Sequence, residues 1–504
     1  MTTRVRSLAL NGIEGYEVSV ETDISGGLPS FDIVGLPDAA VKESRERVRP
    51  AVKNCGYSFP ARRITVNLAP ANTRKVGSVY DLPILLSVLQ SAGAIEPVPE
   101  DAAFVGELSL YGELRPIDGI LAMATAAGEM GFRRLYCPAE NGREASYAGN
   151  IEVYPVETVA QLLEHLQDGT AMEPMSEWNA VDGTQNQLDY ADVMGQQFAK
   201  RAIEVAASGG HNILLMGPPG AGKSMLTSRI PSILPSMTRD EILETTKIYS
   251  VAGLLSHSSP LVSSRPFRAP HHTTSASALA GGGTHPKPGE ISLAHNGVLF
   301  LDELPQFNSD VLESLRQPLE DGKVTISRVA GSLTFPSRFM LVCAMNPCRC
   351  GWYGHPSGRC TCTERSVADY RSRVSGPILD RIDIHIEVPS LEYDELRERA
   401  PSESSADIKA RVNAARDIQR KRYQGYAITN NAQISSSLLH EFCVLDESCE
   451  KLMRSAFDRL GLTARSYDRI LRVARTIADL DGGGPITPAG LAEAIQYRSI
   501  DPAN

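Results

Sequence analysis

One stretch, Gly217-Pro-Pro-Gly-Ala-Gly-Lys-Ser224, constrains the fold of this chain more than any other. A four-residue apolar run, Ile213 to Met216, leads into it, and a helix-like segment, Met225 to Ile233, leaves it. Strand, glycine-rich loop, lysine, hydroxyl and helix in succession close backbone N–H groups around phosphate oxygens, with the positive end of a helix behind them. Gly217, Pro218, Pro219, Gly220, Ala221 and Gly222 form the expected cradle. Lys223 would reach the β- and γ-phosphates, Ser224 would help to hold Mg²⁺, and Met225 opens the helix. A glycine-rich turn with no phosphate to bind is the bland alternative, and the full pattern in its strand-to-helix setting argues against it. The expected ligand is a nucleoside triphosphate: ATP with Mg²⁺.

At 504 residues the chain has room for two or three domains, and its 42% hydrophobic and 22% charged content is that of a soluble globular protein. No apolar run approaches the ~20 residues of a membrane span. The N-terminus has basic residues but no apolar segment with a cleavage site of the secretory kind. A cytoplasmic protein with no membrane partner is therefore expected. The net charge of −10 excludes a chain that is basic all over. It does not exclude DNA, because binding depends on where Lys and Arg cluster, for instance lining a pore. Nine cysteines do not suggest a disulfide framework, but four of them crowd into the fifteen residues from Cys348 to Cys362.

Along the chain, residues 1–167 read as an α/β domain. Its expected strands are Glu17–Glu21, Phe31–Val34, Ile64–Leu68 and Glu107–Leu110; its expected helices are Asp38–Asn54, Asp81–Ala92, Gly119–Met130 and Thr158–Leu166. A polar stretch, 168–187, reads as a linker. Residues 188–390 form the nucleotide-binding domain, and 391–504 carry helical patterns such as Ala406–Arg422 and Tyr467–Asp479.

Downstream of the glycine loop, Gly297-Val-Leu-Phe-Leu-Asp302-Glu303 is a continuous apolar run ending in two acids. That suits a buried parallel strand delivering carboxylates to its C-terminal end. Asp302 would orient Mg²⁺ and Glu303 would polarise the attacking water; a solvated strand end is the alternative. A third apolar run, Phe339 to Met345, ends at Asn346, whose amide would hydrogen-bond the γ-phosphate or the water. This is the sensor-1 position of AAA+ ATPases.

With these three elements in order, the sequence resembles AAA+ ATPases of the magnesium-chelatase and MCM-like branch, and more closely is similar to the ComM (YifB-type) bacterial proteins. Ser375-Gly-Pro-Ile-Leu-Asp-Arg381-Ile-Asp matches that family's arginine-finger segment. The resemblance implies that Arg381 contacts the γ-phosphate held by a neighbouring subunit; a surface or salt-bridging arginine is the alternative. Ala464-Arg465-Ser-Tyr-Asp-Arg469 resembles the sensor-2 segment, with Arg465 preferred and Arg469 the competitor. The resemblance further implies a homo-oligomer, a hexameric ring of head-to-tail interfaces.

Two stretches are candidate nucleic-acid contacts. The first is a long Gly/Pro/His-rich functional loop between the phosphate loop and Asp302 that includes Arg265–Thr274 and Ala280–Gly289, where the related branch carries a pore-facing insertion. Lys323 to Phe335 reads as a β-hairpin, with Lys323 and Arg328 as basic residues near its tip that would meet DNA phosphates. A structural hairpin with solvated charges is equally open. Cys348, Cys350, Cys360 and Cys362 form two C-x-C pairs, a donor set suited to Zn²⁺ although the spacing within a pair is shorter than usual. Reduced free thiols are the alternative, and His355 is a reserve ligand.

Residues 61–135 resemble the Lon-protease-type domain, a ribosomal S5 domain 2-like fold, especially over Gly106-Glu-Leu-Ser-Leu-Tyr-Gly-Glu-Leu-Arg-Pro-Ile-Asp-Gly119. Val79 stands where that family has its serine nucleophile, and Leu121 where it has its lysine. Without both partners proteolysis is not expected. The pattern is instead close to the inactive Lon-like domain of the RadA recombination protein. The fold class implied is α/β: an S5-domain-2-like N-terminal domain, a parallel-sheet AAA+ core and a helical lid. The family resemblance implies an ATP-driven ring motor on single-stranded and branched DNA, a branch-migration helicase in natural transformation. A chelatase-type subunit driving metal insertion and a non-enzymatic ATP-binding assembly protein remain as alternatives.

Overall fold

A computed structural model describes residues 3–176, 188–256, 260–283, 286–328, 331–390 and 402–498. The chain divides into two compact units, Met1–Asp182 with Arg239–Ser263, and Gly183–Thr238 with Ser264–Asn504.

In the first unit, Thr3–Asn11, Glu14–Ser25, Arg63–Ala69 and Ser30–Val34 lie in that order across a four-stranded sheet. The first three run antiparallel and the last pair parallel. Alternation sends Ile64, Val66 and Leu68 to one buried face. The helix Asp81–Ser91 is buried along most of its length. Ala39–Asn54 starts at Asp38, whose carboxylate accepts from Val41 N, and it buries Val41, Val48 and Val52 at helical spacing. A second, parallel sheet of Ala102–Phe104, Arg134–Pro138 and Glu152–Val156 follows. The expected strand Glu107–Leu110 shortens to Glu107–Leu108.

The structure differs from the sequence reading at 239–263. These residues, expected inside the nucleotide-binding domain, belong to the first unit. The helix Arg239–Ala252 packs against the helix Ile120–Glu129. Ser250 O accepts from Gly119 N at 3.2 Å, and the Ser250 hydroxyl donates to the Glu144 carboxylate. Gly253 sits so close to Asp118 that a Cβ would stand 2.8 Å from its Oδ2.

The second unit is built on a five-stranded, all-parallel sheet. Its order is Phe267–Arg268, Val298–Leu301, Met340–Met345, Ile213–Met216, Ile384–Glu387. The three middle strands are wholly buried, which is why each reads as an uninterrupted apolar run. The single helix expected over Met225–Ile233 is two, Lys223–Thr227 and Ile230–Ile233. Pro231 lacks the N–H that would continue the first, and it sits in the opening turn of the second. The helical region contains Ser405–Arg422, Glu447–Leu460, Ala464–Leu480 and Pro488–Gln496. Each starts at a capped residue: Ser404, Asp446, Thr463 and Thr487. The first part of that expected lid, 391–401, lies outside the described residues, as does 177–187 of the expected linker.

Candidate active site

Strand Ile213–Met216, between Met340–Met345 and Ile384–Glu387, runs directly into the glycine loop. Gly217 passes so close to the neighbouring chain that a Cβ would stand 2.2 Å from Val388 O, so no other residue fits. Gly220 and Gly222 adopt φ of +79° and +87°, the left-handed region that bends the loop back toward the helix. Lys223 Nζ lies inside this bend and donates to Gly217 O at 2.7 Å, Pro218 O at 2.9 Å and Asn346 Oδ1 at 3.1 Å. Burial lowers the affinity of its amine for the proton, and the nearby Asp302 and Glu303 carboxylates oppose that shift.

Two strands over, beyond Met340–Met345, Val298–Leu301 delivers the acids. Ser224 Oγ donates to Asp302 Oδ2 at 3.0 Å, and Asp302 Oδ1 accepts from Glu303 N at 2.9 Å. Glu303 has φ of +54°. That conformation costs a non-glycine residue about 1–2 kcal/mol. Strain of this kind gathers where a side chain must be aimed, and the Glu303 carboxylate is half exposed. Of the residues singled out from sequence, Lys223 is thus bonded to Asn346 and Ser224 to Asp302, with Glu303 beside Asp302. The cluster pairs a cation for phosphate with a hydroxyl and a carboxylate of the kind that coordinate Mg²⁺.

The sequence reading missed His272. Its Nδ1 lies 3.7 Å from Glu303 Oε2, and its ring sits 4.0 Å from that of His271. The signal was the His-His pair in Arg265–Thr274, but that stretch was read as a loop. It instead supplies an edge strand of the core sheet, with Phe267 opposite Val298. Arg265 donates to Pro235 O at 2.6 Å and Asn296 O at 2.7 Å, while Arg268 grips both oxygens of Glu290. These arginines brace the sheet edge.

The two remaining arginines make their contacts elsewhere. Arg381 is tucked in, its Nη1 donating to Pro377 O at 2.6 Å and its Nη2 ion-paired with the exposed Glu320. Arg465 is exposed and lies 3.6 Å from Asp380. Its competitor Arg469 is mostly covered, with Nε 3.3 Å from Asp383 Oδ1. Burial would raise the Asp383 carboxyl, but the His211 ring and the Arg469 and Arg472 guanidiniums hold it down to about 2. Arg469 therefore has a structural partner, and Arg465 has reach.

The hairpin expected at 323–335 is present, as Lys323–Arg328 paired with Gly331–Pro336. Val324 and Ile326 are buried while Lys323, Thr325 and Ser327 are exposed. Lys323 is not near the tip. It pairs with Pro336 at the base, while Arg328 pairs with Gly331 at the far end, about 17 Å along the strand. Tip residues 329–330 lie outside the described residues, as do 284–285 of the stretch Ala280–Gly289.

The four cysteines converge. Cys348 Sγ lies 3.3 Å from Cys350 Sγ and 3.9 Å from Cys360 Sγ, and Cys350 lies 3.7 Å from Cys360. The ligand atoms of all four, Cys362 included, fall within 4.8 Å of one another. Zn–S bonds of about 2.3 Å at tetrahedral angles put sulfurs about 3.8 Å apart, so the donor set fits zinc. Backbone N–H groups of Trp352 and Thr361 hold the Cys350 thiol down to about 6. His355 is not part of the group; its Nε2 pairs with Ser390 Oγ at 3.2 Å.

In the first unit, Val79 and Leu121 are both buried apolar side chains. Ser78 gives its hydroxyl to Glu107, and Leu121 N donates to Glu144 at 3.2 Å. The positions of a serine–lysine pair are packing positions here.

A parallel sheet in this strand order, with the phosphate loop after one strand and paired acids after another, defines a P-loop protein of the AAA+ class. Family models agree: residues 189–396 match "Magnesium chelatase, subunit ChlI", 402–498 match "Magnesium chelatase, subunit ChlI C-terminal", and 20–141 match "Subunit ChlI of Mg-chelatase". "Competence protein ComM" of Haemophilus influenzae is 42% identical over 504 residues, covering 98% of this chain and 97% of that one. "Uncharacterized protein YifB" of Escherichia coli is 42% identical over 499 residues, 99% of this chain and 97% of that one. An archaeal Lon protease of Thermococcus kodakarensis is 41% identical over 177 residues, 33% of this chain and 28% of its own. The chain belongs to the ComM/YifB family of magnesium-chelatase-like AAA+ proteins. No helix among the described residues is long and apolar enough to cross a membrane.

Proposed function

We propose that this protein is an ATP-hydrolysing subunit of a hexameric ring that moves DNA, driving branch migration of recombination intermediates during natural transformation in the cytoplasm. The observation that carries the ATPase part is the two bonded pairs, Lys223 with Asn346 and Ser224 with Asp302, with Glu303 beside them. On arrival of a triphosphate, Lys223 exchanges its own loop's carbonyls for phosphate oxygens. Ser224 and Asp302 hold Mg²⁺, which when bound neutralises charge on the β- and γ-phosphates. Glu303 accepts a proton from the attacking water, and Asn346 fixes the γ-phosphate or the water. Arg381 of one subunit completes the pocket of the next, which requires its release from Glu320. Arg465 reaches the nucleotide from the lid. Lys323 and Arg328 attract single-stranded and branched DNA, and the tetrathiolate takes a structural Zn²⁺.

Support for DNA as the partner comes from the near-full-length identity to a protein named for competence. The chelatase family models favour a second reading, a subunit that drives metal insertion into a porphyrin. ATP turnover with and without single-stranded and four-way-junction DNA separates the readings, together with a strand-exchange-intermediate assay. Stimulated turnover and junction movement are expected. Hydrolysis with no DNA stimulation and no DNA binding at low salt would favour the chelatase subunit; no hydrolysis at all would leave an assembly protein.

A further inference from the structure

The cysteine cluster and the phosphate loop are in contact. Asn346, which accepts from Lys223 Nζ, is followed two residues later by the fully buried Cys348. The chain then turns, with Gly351 N donating to Cys348 O at 3.0 Å, and this turn rests on the phosphate loop. Gly351 approaches so closely that a Cβ would stand 2.5 Å from Pro219 Cδ and 2.6 Å from its Cγ. Gly351 also takes φ of +84°, a left-handed conformation that glycine adopts freely. On the far side of the turn, Arg371 Nε donates to Pro347 O at 3.2 Å and its guanidinium lies over the Tyr353 ring. His355 binds Ser390, two residues beyond the Val388 carbonyl that abuts Gly217. The thiolate loop therefore touches the phosphate loop at Pro219 and is anchored to the chain that borders Gly217.

We infer that the tetrathiolate metal site regulates nucleotide binding, because the metal fixes the Cys348–Gly351 turn that supports the phosphate loop at Pro219. This rests on the zinc and ATPase readings above and adds the dependence of one on the other. A loop with three glycines between its cysteine pairs, Gly351, Gly354 and Gly358, has little stiffness of its own. Four bonds to one ion would remove that freedom. With the ion gone, Pro219 loses its support and the cradle of N–H groups is no longer held in shape for phosphate.

The test uses the full-length protein, zinc analysis and titration with a fluorescent ADP analogue. Bound zinc near one per chain is expected, and stripping it with a thiol reagent and chelator should weaken nucleotide affinity by roughly tenfold or more, restored by added Zn²⁺. Because loss of a thiolate can unfold the loop, Gly351→Ala provides a second arm. It should keep its zinc and lose affinity, by pushing on Pro219. Gly354→Ala is the control, since Gly354 has a similar φ of +76° in the same loop but open space around it; it should bind like the parent. Equal losses in the two glycine variants, or unchanged affinity after zinc removal, would overturn the coupling while leaving the ATPase reading intact. Protein isolated without zinc, and taking none up, would overturn the metal site itself. A zinc-loaded parent that binds no nucleotide would instead count against the proposed function.

Discussion

Lys75 in the first unit and Lys223 in the second are buried lysines that donate to carbonyls of their own loops. In the first, Lys75 Nζ is bound to Pro70 O and to Thr73 O, the latter at 2.8 Å. In the second, Lys223 Nζ is bound to Gly217 O and Pro218 O. Burial lowers the proton affinity of both. What differs is the company. Lys223 also meets Asn346, and the Asp302 and Glu303 carboxylates act on it; burial is the one resolved influence on Lys75. A buried lysine is therefore not a site in itself. It becomes one where acids and a polar amide from neighbouring strands converge on it and its carbonyl partners can be exchanged for phosphate oxygens.

Four substitutions would break or sharpen this contrast. The largest loss is expected from Arg381→Ala in the nucleotide unit, about 10³-fold in ATP turnover, with only a small drop in the unfolding midpoint from the lost bond to Pro377 O. Turnover equal to the parent would remove the finger assignment. Lys223→Ala should lower turnover by roughly 10²–10³-fold and weaken nucleotide binding, read by steady-state kinetics and titration. In the N-terminal unit, Lys75→Met should leave turnover alone but strand two carbonyls. It should lower the unfolding midpoint by several degrees, at about 2–4 °C per kcal/mol lost. Lost turnover at an unchanged midpoint would show that Lys75 is not the plain tie described above. The smallest effect is expected from His272→Ala, a change in turnover within about fivefold, since a partly exposed pair of this kind contributes less than about 1 kcal/mol. A fall as deep as that of Lys223→Ala would move His272 into the chemistry.

The parts legible in the sequence were those where one local pattern carries the whole message. The apolar runs ending at the glycine loop, at Asp302 and at Asn346 are buried parallel strands whose tips gather Lys223, Asp302, Glu303 and Asn346, so their order along the chain sufficed. Contacts set by tertiary packing were not legible. His272 lies 31 residues before Glu303, and no period or spacing links them. The Pro231 break was visible in principle, since proline restarts a helix, but the apolar spacing across it masked the break. The tucking of Arg381 against Glu320, and of Gly351 against Pro219, depends on which surfaces meet, and composition carries no trace of that. Arg469 and Arg465 looked equivalent in one helix; only burial beside Asp383 separates them.

The helix Arg239–Ala252 has a practical consequence for dissecting the molecule. Because 239–263 belongs to the N-terminal unit, the backbone passes between the two units three times: after Asp182, after Thr238 and after Ser263. A protease cutting within 168–187 would leave the N-terminal piece held by non-covalent packing alone, since Arg239–Ser263 of the other piece completes its fold. Expressing 1–182 by itself would leave Glu144 without the Ser250 hydroxyl and Gly119 N–H without its acceptor. Two half-genes split at that point should yield poorly behaved products when made separately and recover on co-expression, as expected of pieces sharing one interlaced seam.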